Sequence, residues 1–194
     1  MGMPDTQADQ HFTYDDYLKW PDEERWEIIE GQAYAMTPAP TLRHQQVLGR
    51  LHLLFSQLFK GKPCQVLLSP LDVRLPDLNE KNEIVDTVVQ PDLLVVCDPA
   101  KLDERGVAGA PDLVIEILSD STSRRDMDLK LRLYEKHGVR CYIVVDPWGK
   151  TLTARTLEPG GPYAIPELFA GPAQMPIRIF EGLVLDVGRV FEGI

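Results

Sequence analysis

The chain has 194 residues, 44% of them apolar, enough to bury one sizeable core, and its formal net charge is −10. That charge argues against general nucleic-acid affinity, because phosphate is repelled at long range; any such contact must come from a local basic patch or a metal ion. No apolar run reaches the ~18 to 20 residues of a membrane span, and the opening MGMPDTQADQ lacks the basic and apolar regions of a signal peptide. A cytoplasmic protein with no membrane partner is therefore expected.

Residues 1–10 read as a loose end. Thr13 and Asp16 have capping-box spacing for a short helix to about Lys19, which Pro21 ends. WEIIEGQAYAM, Trp26 to Met36, predicts a hairpin around Gly31, broken by TPAP. Val47, Leu51, Leu54, Phe55 and Leu58 then recur at helical spacing, with Gly61 as a stop. CQVLLSPLDVRL and TVVQPDLLVVCD are β-rich runs, and Leu78 to Asp86 is polar enough to connect them. A strand over Asp112 to Leu118 leads to a helix from about Ser123 to His137, closed by Gly138, and VRCYIVVDP is a further strand. Residues 150–194 alternate short β runs with Gly and Pro turns and read as appended hairpins. The order predicts a single mixed α/β domain over 1–194, with short connections that favour antiparallel pairing of the three middle strands.

Cys64, Cys97 and Cys141 are isolated, odd in number and free of CxxC spacing. Buried reduced thiols are the expectation.

The chemistry concentrates in three places. Glu116 interrupts an apolar strand on the side of Asp112 and Val114, and Asp92 shares parity with Leu94 and Val96. Antiparallel pairing of these strands makes Asp92 and Glu116 neighbours on one face. Two adjacent carboxylates in an apolar sheet are costly unless a cation sits between them. On the following helix, projected at 100° per residue from Met127, Lys130 falls at about 300°, inside the apolar arc of Leu129, Leu133 and Tyr134. Lys130 therefore points at the sheet. A plainer reading stays open, in which Lys130 makes an ordinary buried ion pair with Glu116 and Asp92 caps a strand.

Pro91 and Asp92, a Glu in PDLVIEILS and a lysine one or two turns into the next helix resemble the PD-(D/E)xK nuclease superfamily. Within it they resemble a restriction-endonuclease family abundant in cyanobacteria and other bacteria. In that branch the lysine of the ExK triplet has moved to the helix, and here the triplet is Glu116, Ile117, Leu118. The similarity runs through RWEIIEGQAYAMTPAP, TLRHQQVL, SPLDVRL, QPDLLVVCDP, GAPDLVIEILSDST and KLRLYEKHGVRCYIVVDP. It implies a restriction-endonuclease-like core, a mixed central sheet flanked by helices, with extra hairpins at both ends.

The resemblance also implies a metal-dependent endonuclease acting on nucleic acid, expected to be DNA. Its metal, Mg²⁺ or Mn²⁺, would be held by Asp92, Glu116 and the backbone carbonyl of Ile117, with Lys130 orienting water or neutralising charge. Glu27 matches a family acid as a further ligand or base, with Glu30 as its substitute. His44 and Gln90 fall in family blocks as auxiliary residues, although the core-side position of His44 favours a structural histidine. Arg124 and Arg125 are candidate phosphate contacts beside the reading of two solvated arginines. His11 and His52 offer no partner, and His137 is expected to cap helix carbonyls, with a minor site role open. Such enzymes often pair to cut two strands, so a homodimer through the tail after Lys150 is a further expectation. The alternative is a non-cleaving binding module that keeps the fold.

Overall fold

The computed structural model describes residues 10–21, 24–36, 39–77, 84–119 and 124–194, the first three residues of the last segment by their backbone only. Residues 1–9 of the expected loose end, and 78–83 of the expected connection, lie outside the described residues.

Thr13 and Asp16 form the capping box, opening α1 (Tyr14–Tyr17). Strands β1 (Trp26–Ile29) and β2 (Gln32–Ala35) make the expected hairpin. Its two loop residues, Glu30 (φ 50°) and Gly31 (φ 77°), both take positive φ, the demand of a two-residue turn that matches strand twist. Helix α2 (Leu42–Leu58) follows, capped by the Thr41 hydroxyl, which accepts from the His44 N–H.

Prolines divide the two β-rich runs, each expected as one strand. The first splits into β3 (Gln65–Leu68) and β4 (Val73–Arg74) around Pro70, the second into β5 (Val88–Val89) and β6 (Leu93–Val96) around Pro91. Proline cannot donate to a ladder, so each run leaves one sheet there and enters another. The fragments pair as β3 with β6 and β4 with β5, both antiparallel, so both runs cross at the same place.

Beyond β6, the connection to the next strand forms a 3₁₀ turn and the small strands β7 (Leu102–Asp103) and β8 (Gly106–Ala108). Strand β9 (Leu113–Ile117), helix α3 (Arg124–His137) and strand β10 (Cys141–Asp146) form a crossover whose strands are parallel. The tail is not merely appended. Strands β11 (Thr151–Thr156) and β12 (Glu167–Ala170) extend the central sheet, whose order is β12-β11-β10-β9-β6-β3. The hairpin of β13 (Gln174–Pro176) and β14 (Val184–Asp186) leads to α4 (Val187–Val190), a helix the tail's turn-rich composition concealed. A second mixed sheet has the order β2-β1-β5-β4-β8-β7.

Side-chain alternation gives the central sheet two buried faces. Leu93, Val95, Leu113, Ile115 and Ile143 pack with Leu51 and Phe55 of α2 and with Met175, Leu185 and Val190 of the tail. Leu94, Val96, Val114 and Val144 pack with Leu133 and Tyr134 of α3 and with Val73, Val89 and Val107 of the second sheet. Asp92 and Glu116 have the parity of this second face.

The expectation of three reduced thiols is corrected for two of them. Cys64 and Cys97 are joined in a disulfide, and Cys141 is the free, buried thiol. The β3–β6 register, with Gln65 opposite Val96, makes positions 64 and 97 cross-strand neighbours, which their 33-residue separation hides.

Candidate functional site

The β6–β9 register pairs Leu93 with Ile115, which carries Asp92 to the level of Glu116. Asp92 Oδ2 accepts the Ile117 N–H at 2.8 Å, so one strand's acid is tied to the backbone beside the other's. From the second sheet, β1 contributes Glu27, whose Oε1 accepts the Gln90 N–H at 2.8 Å. From α3, Lys130 Nζ reaches Glu27 Oε1 and Glu116 Oε1, each at 3.0 Å. Tyr134, one turn further, donates its hydroxyl to the same Glu116 oxygen at 2.7 Å. Four elements thus converge, and Lys130 lies inward as its helical projection predicts.

Burial is the main force on Glu116. It raises the carboxyl to about 7, with Asp92 and Glu27 pushing the same way and Lys130 and the Tyr134 hydroxyl opposing. Burial works against the charge on Lys130, but the two carboxylates outweigh it and hold the ammonium well above its ordinary range. Three carboxyl groups face one lysine here, so ionisation of all three would leave two excess negative charges, a balance a divalent cation would neutralise.

The His44 ring, 7% exposed, stands in the first turn of α2 with Nε2 3.3 Å from Asp92 Oδ2 and with Nδ1 buried and, among the described residues, without a hydrogen-bond partner. The preference for a core histidine is half met: the ring is buried, but against a site carboxylate. Gln90 joins the cluster through its backbone N–H and through its side chain, which accepts from Arg25. Glu30 is not brought in. It sits in the β1–β2 turn, 61% exposed and 3.5 Å from Lys136. The His137 side chain is buried beside Asp77, at 4.0 Å, rather than capping as expected, and burial pushes its ring below the ordinary histidine value. His11 does have a partner, Asp86 at 3.3 Å. The side chains of Arg124 and Arg125 lie outside the described residues.

Arg25, Tyr134 and Ser69 escaped the sequence reading. Tyr134 could have been found, since i,i+4 spacing from Lys130 puts it on the same face. Arg25 shares strand parity with Glu27, and Ser69 becomes legible only once the strand break at Pro70 is known.

These groups border a cavity of about 470 Å³, within the range of ligand pockets. Its walls also include Tyr34, Met36, Leu48, Met127 and Ile117. Among the described residues no three His, Cys, Asp or Glu side chains gather as a ready-made metal cage. Mg²⁺ does not require one. It binds through one or two carboxylates and takes its remaining oxygens from water and phosphate, and Asp92 and Glu116 beside an open cavity fit that demand.

The model of the Uma2 family, described as "Putative restriction endonuclease", matches residues 14–188. The chain belongs to the Uma2 family. This Uma2 chain is 33% identical over 122 residues to "Uncharacterized protein slr1290" of Synechocystis sp., a match spanning 62% of the chain and 60% of that protein. Its fold is similar to the crystal structure of a "putative nuclease belonging to DUF820" from Anabaena variabilis. The TM-score is 0.73 at 24% identity, covering 93% of this chain and 98% of that one. The restriction-endonuclease-like α/β architecture is thereby established for this Uma2 protein. No helix among its described residues is long and apolar enough to cross a membrane.

Proposed function

We propose that this Uma2 protein is a metal-dependent endonuclease that hydrolyses phosphodiester bonds, with DNA as its substrate and Mg²⁺ or Mn²⁺ as its cofactor. The observation that carries this reading is the convergence of Asp92, Glu116, Glu27 and Lys130 from two sheets and a helix on one open cavity. Asp92 and Glu116, with the Ile117 carbonyl beside them, would hold the ion. When bound, that ion supplies charge stabilisation at the phosphodiester and a more acidic water.

The protein's own groups do the rest. Lys130 presents an ammonium whose charge Glu116 and Glu27 favour, at the centre of the acids, where it orients a water and offsets charge developing on phosphate. Glu27, fixed by the Gln90 N–H, stands ready to take a proton from that water. His44 and the Ile117 N–H hold Asp92 in place.

A second reading has its own support. Lys130 is already paired with Glu116 and Glu27, which a non-cleaving binding module would also need. The deciding experiment is cleavage of supercoiled plasmid and of labelled single-stranded DNA in Mg²⁺ and in Mn²⁺, with Asp92→Asn and Lys130→Ala alongside. Metal-dependent nicking by the wild type, lost in both variants, is the expected result. Absence of cleavage, together with no thermal shift in either metal, would leave the binding module.

A further inference from the structure

Arg25 is placed in an unusual way for an exposed arginine. Its Nε and Nη2 both donate to Gln90 Oε1, at 3.0 and 2.6 Å, and Nη2 also donates to Ser69 Oγ at 2.8 Å. Gln90 is in turn fixed from behind. Its Nε2 donates to Asp72 Oδ1 at 2.9 Å and to the Tyr17 hydroxyl at 3.1 Å, so its carbonyl oxygen is turned to Arg25. The Arg25 backbone carbonyl is held as well, accepting the Met36 N–H at 2.9 Å. The guanidinium is therefore preorganised, and its ordering cost falls on folding rather than on binding.

The partners that hold it are neutral. Among the described residues no carboxylate pairs with Arg25, and Nη1 makes no hydrogen bond, so its full charge is available to a ligand. Arg25 and Lys130 are the described arginine and lysine side chains that line the cavity, and Lys130 is committed to Glu27 and Glu116. Arg25 also has the strand parity of Glu27, which places it on the cavity side of β1. A guanidinium fixed at the rim of an acidic cavity, its Nε and Nη2 donors taken by Gln90 and Ser69, turns its Nη1 N–H groups to a ligand and suits a phosphate oxygen.

We propose that Arg25 is the phosphate clamp of the site: it takes a backbone phosphate of the strand being cut and sets that strand's register over Asp92 and Glu116, while Gln90 positions its fork. This rests on the endonuclease reading above. In a chain of net charge −10, such a clamp is the local positive contact that a polyanionic substrate requires.

The test is steady-state cleavage of a short labelled single-stranded oligonucleotide in Mn²⁺ by the full chain and by Arg25→Gln and Arg25→Lys. Each phosphate of the oligonucleotide is replaced in turn by a neutral methylphosphonate. Arg25→Gln is expected to raise KM roughly 10- to 100-fold, the worth of a charge-assisted contact, with a smaller change in kcat and a melting temperature lower by only about 2 to 4 °C for the lost hydrogen bonds to Gln90 and Ser69. The slope of log KM against log salt should fall by about 1. One methylphosphonate position that raises KM in the wild type should have no further effect in Arg25→Gln, and Arg25→Lys should recover part of the loss.

Wild-type KM and salt slope in Arg25→Gln, or a raised KM with the methylphosphonate profile intact, would overturn the clamp and leave the endonuclease reading standing. A wild-type protein that cleaves no strand in any metal would remove that reading, and the clamp with it.

Discussion

Lys130 and Tyr134, one turn apart on α3, converge on the same oxygen of Glu116, at 3.0 and 2.7 Å. The i,i+4 spacing lets one rigid helix deliver an ammonium and a hydroxyl to one acceptor, so the Glu116 carboxylate is oriented by α3 rather than by its own strand. Tyr134→Phe removes the hydroxyl and keeps the ring. It is expected to cost about 1 kcal/mol in denaturant unfolding. Because that hydroxyl lowers the Glu116 carboxyl, the variant should also move the pH midpoint of activity upward.

The pH dependence of stability has a definite sign. Glu116 rises from 4.5 to about 7 on folding, so between those values the folded protein keeps a proton that the unfolded chain has released. The resulting stabilisation is complete below pH 4.5 and is lost as pH rises through about 7. Unfolding free energies of wild type and Glu116→Gln should therefore diverge by about 3 kcal/mol from pH 4.5 to 8, at the expense of the wild type. Cleavage and metal-induced thermal shift, which need the ionised carboxylate, should grow over the same range.

Lys130→Met places a chain of similar length between Glu27 and Glu116 without the charge. Two carboxylates then face each other uncompensated, at a cost of about 3 to 5 kcal/mol, part of which Glu116 recovers by holding its proton to higher pH. Cleavage should fall by about 10²- to 10³-fold. Chemical denaturation and plasmid nicking, run on the same preparations, check both.

His44→Ala removes a ring that touches Asp92 and leaves Thr41 free to cap α2. A drop of about 10- to 100-fold in Mn²⁺ affinity is expected, read by calorimetric titration, with helix content by circular dichroism unchanged. Retained affinity would reduce His44 to a packing residue.

Opening the Cys64–Cys97 bridge should lower stability by about 3 to 4 kcal/mol, on the chain-entropy argument for a loop of this separation. Thermal unfolding with and without reductant, compared with Cys64→Ser, measures it.

Much of this fold was legible because it rests on local rules. The Thr13 capping box, the two-residue turn after Ile29, the apolar stripe of α2 and the inward face of α3 each follow from spacing alone. Asp92 and Glu116 were paired from strand parity, which survives whatever the sheet order. What escaped depended on partners far along the chain. The sheet exchange at Pro70 and Pro91 could not be seen from two β-rich runs, nor could the Cys64–Cys97 pairing that only the β3–β6 register creates. Arg25 was hidden for the same reason, since its role depends on Gln90 and Ser69, which stand at those two breaks.

Glu27 belongs to one sheet and Glu116 to the other, so the distance between these acids is a property of how the two layers stack. Val89, Leu94, Val107 and Val114, completely hidden between those layers, act as shims under the acids. A single methyl group added or removed there would retune the spacing of the site without touching any polar atom in it. The electrostatics of this cluster is in that sense machined by hydrocarbon.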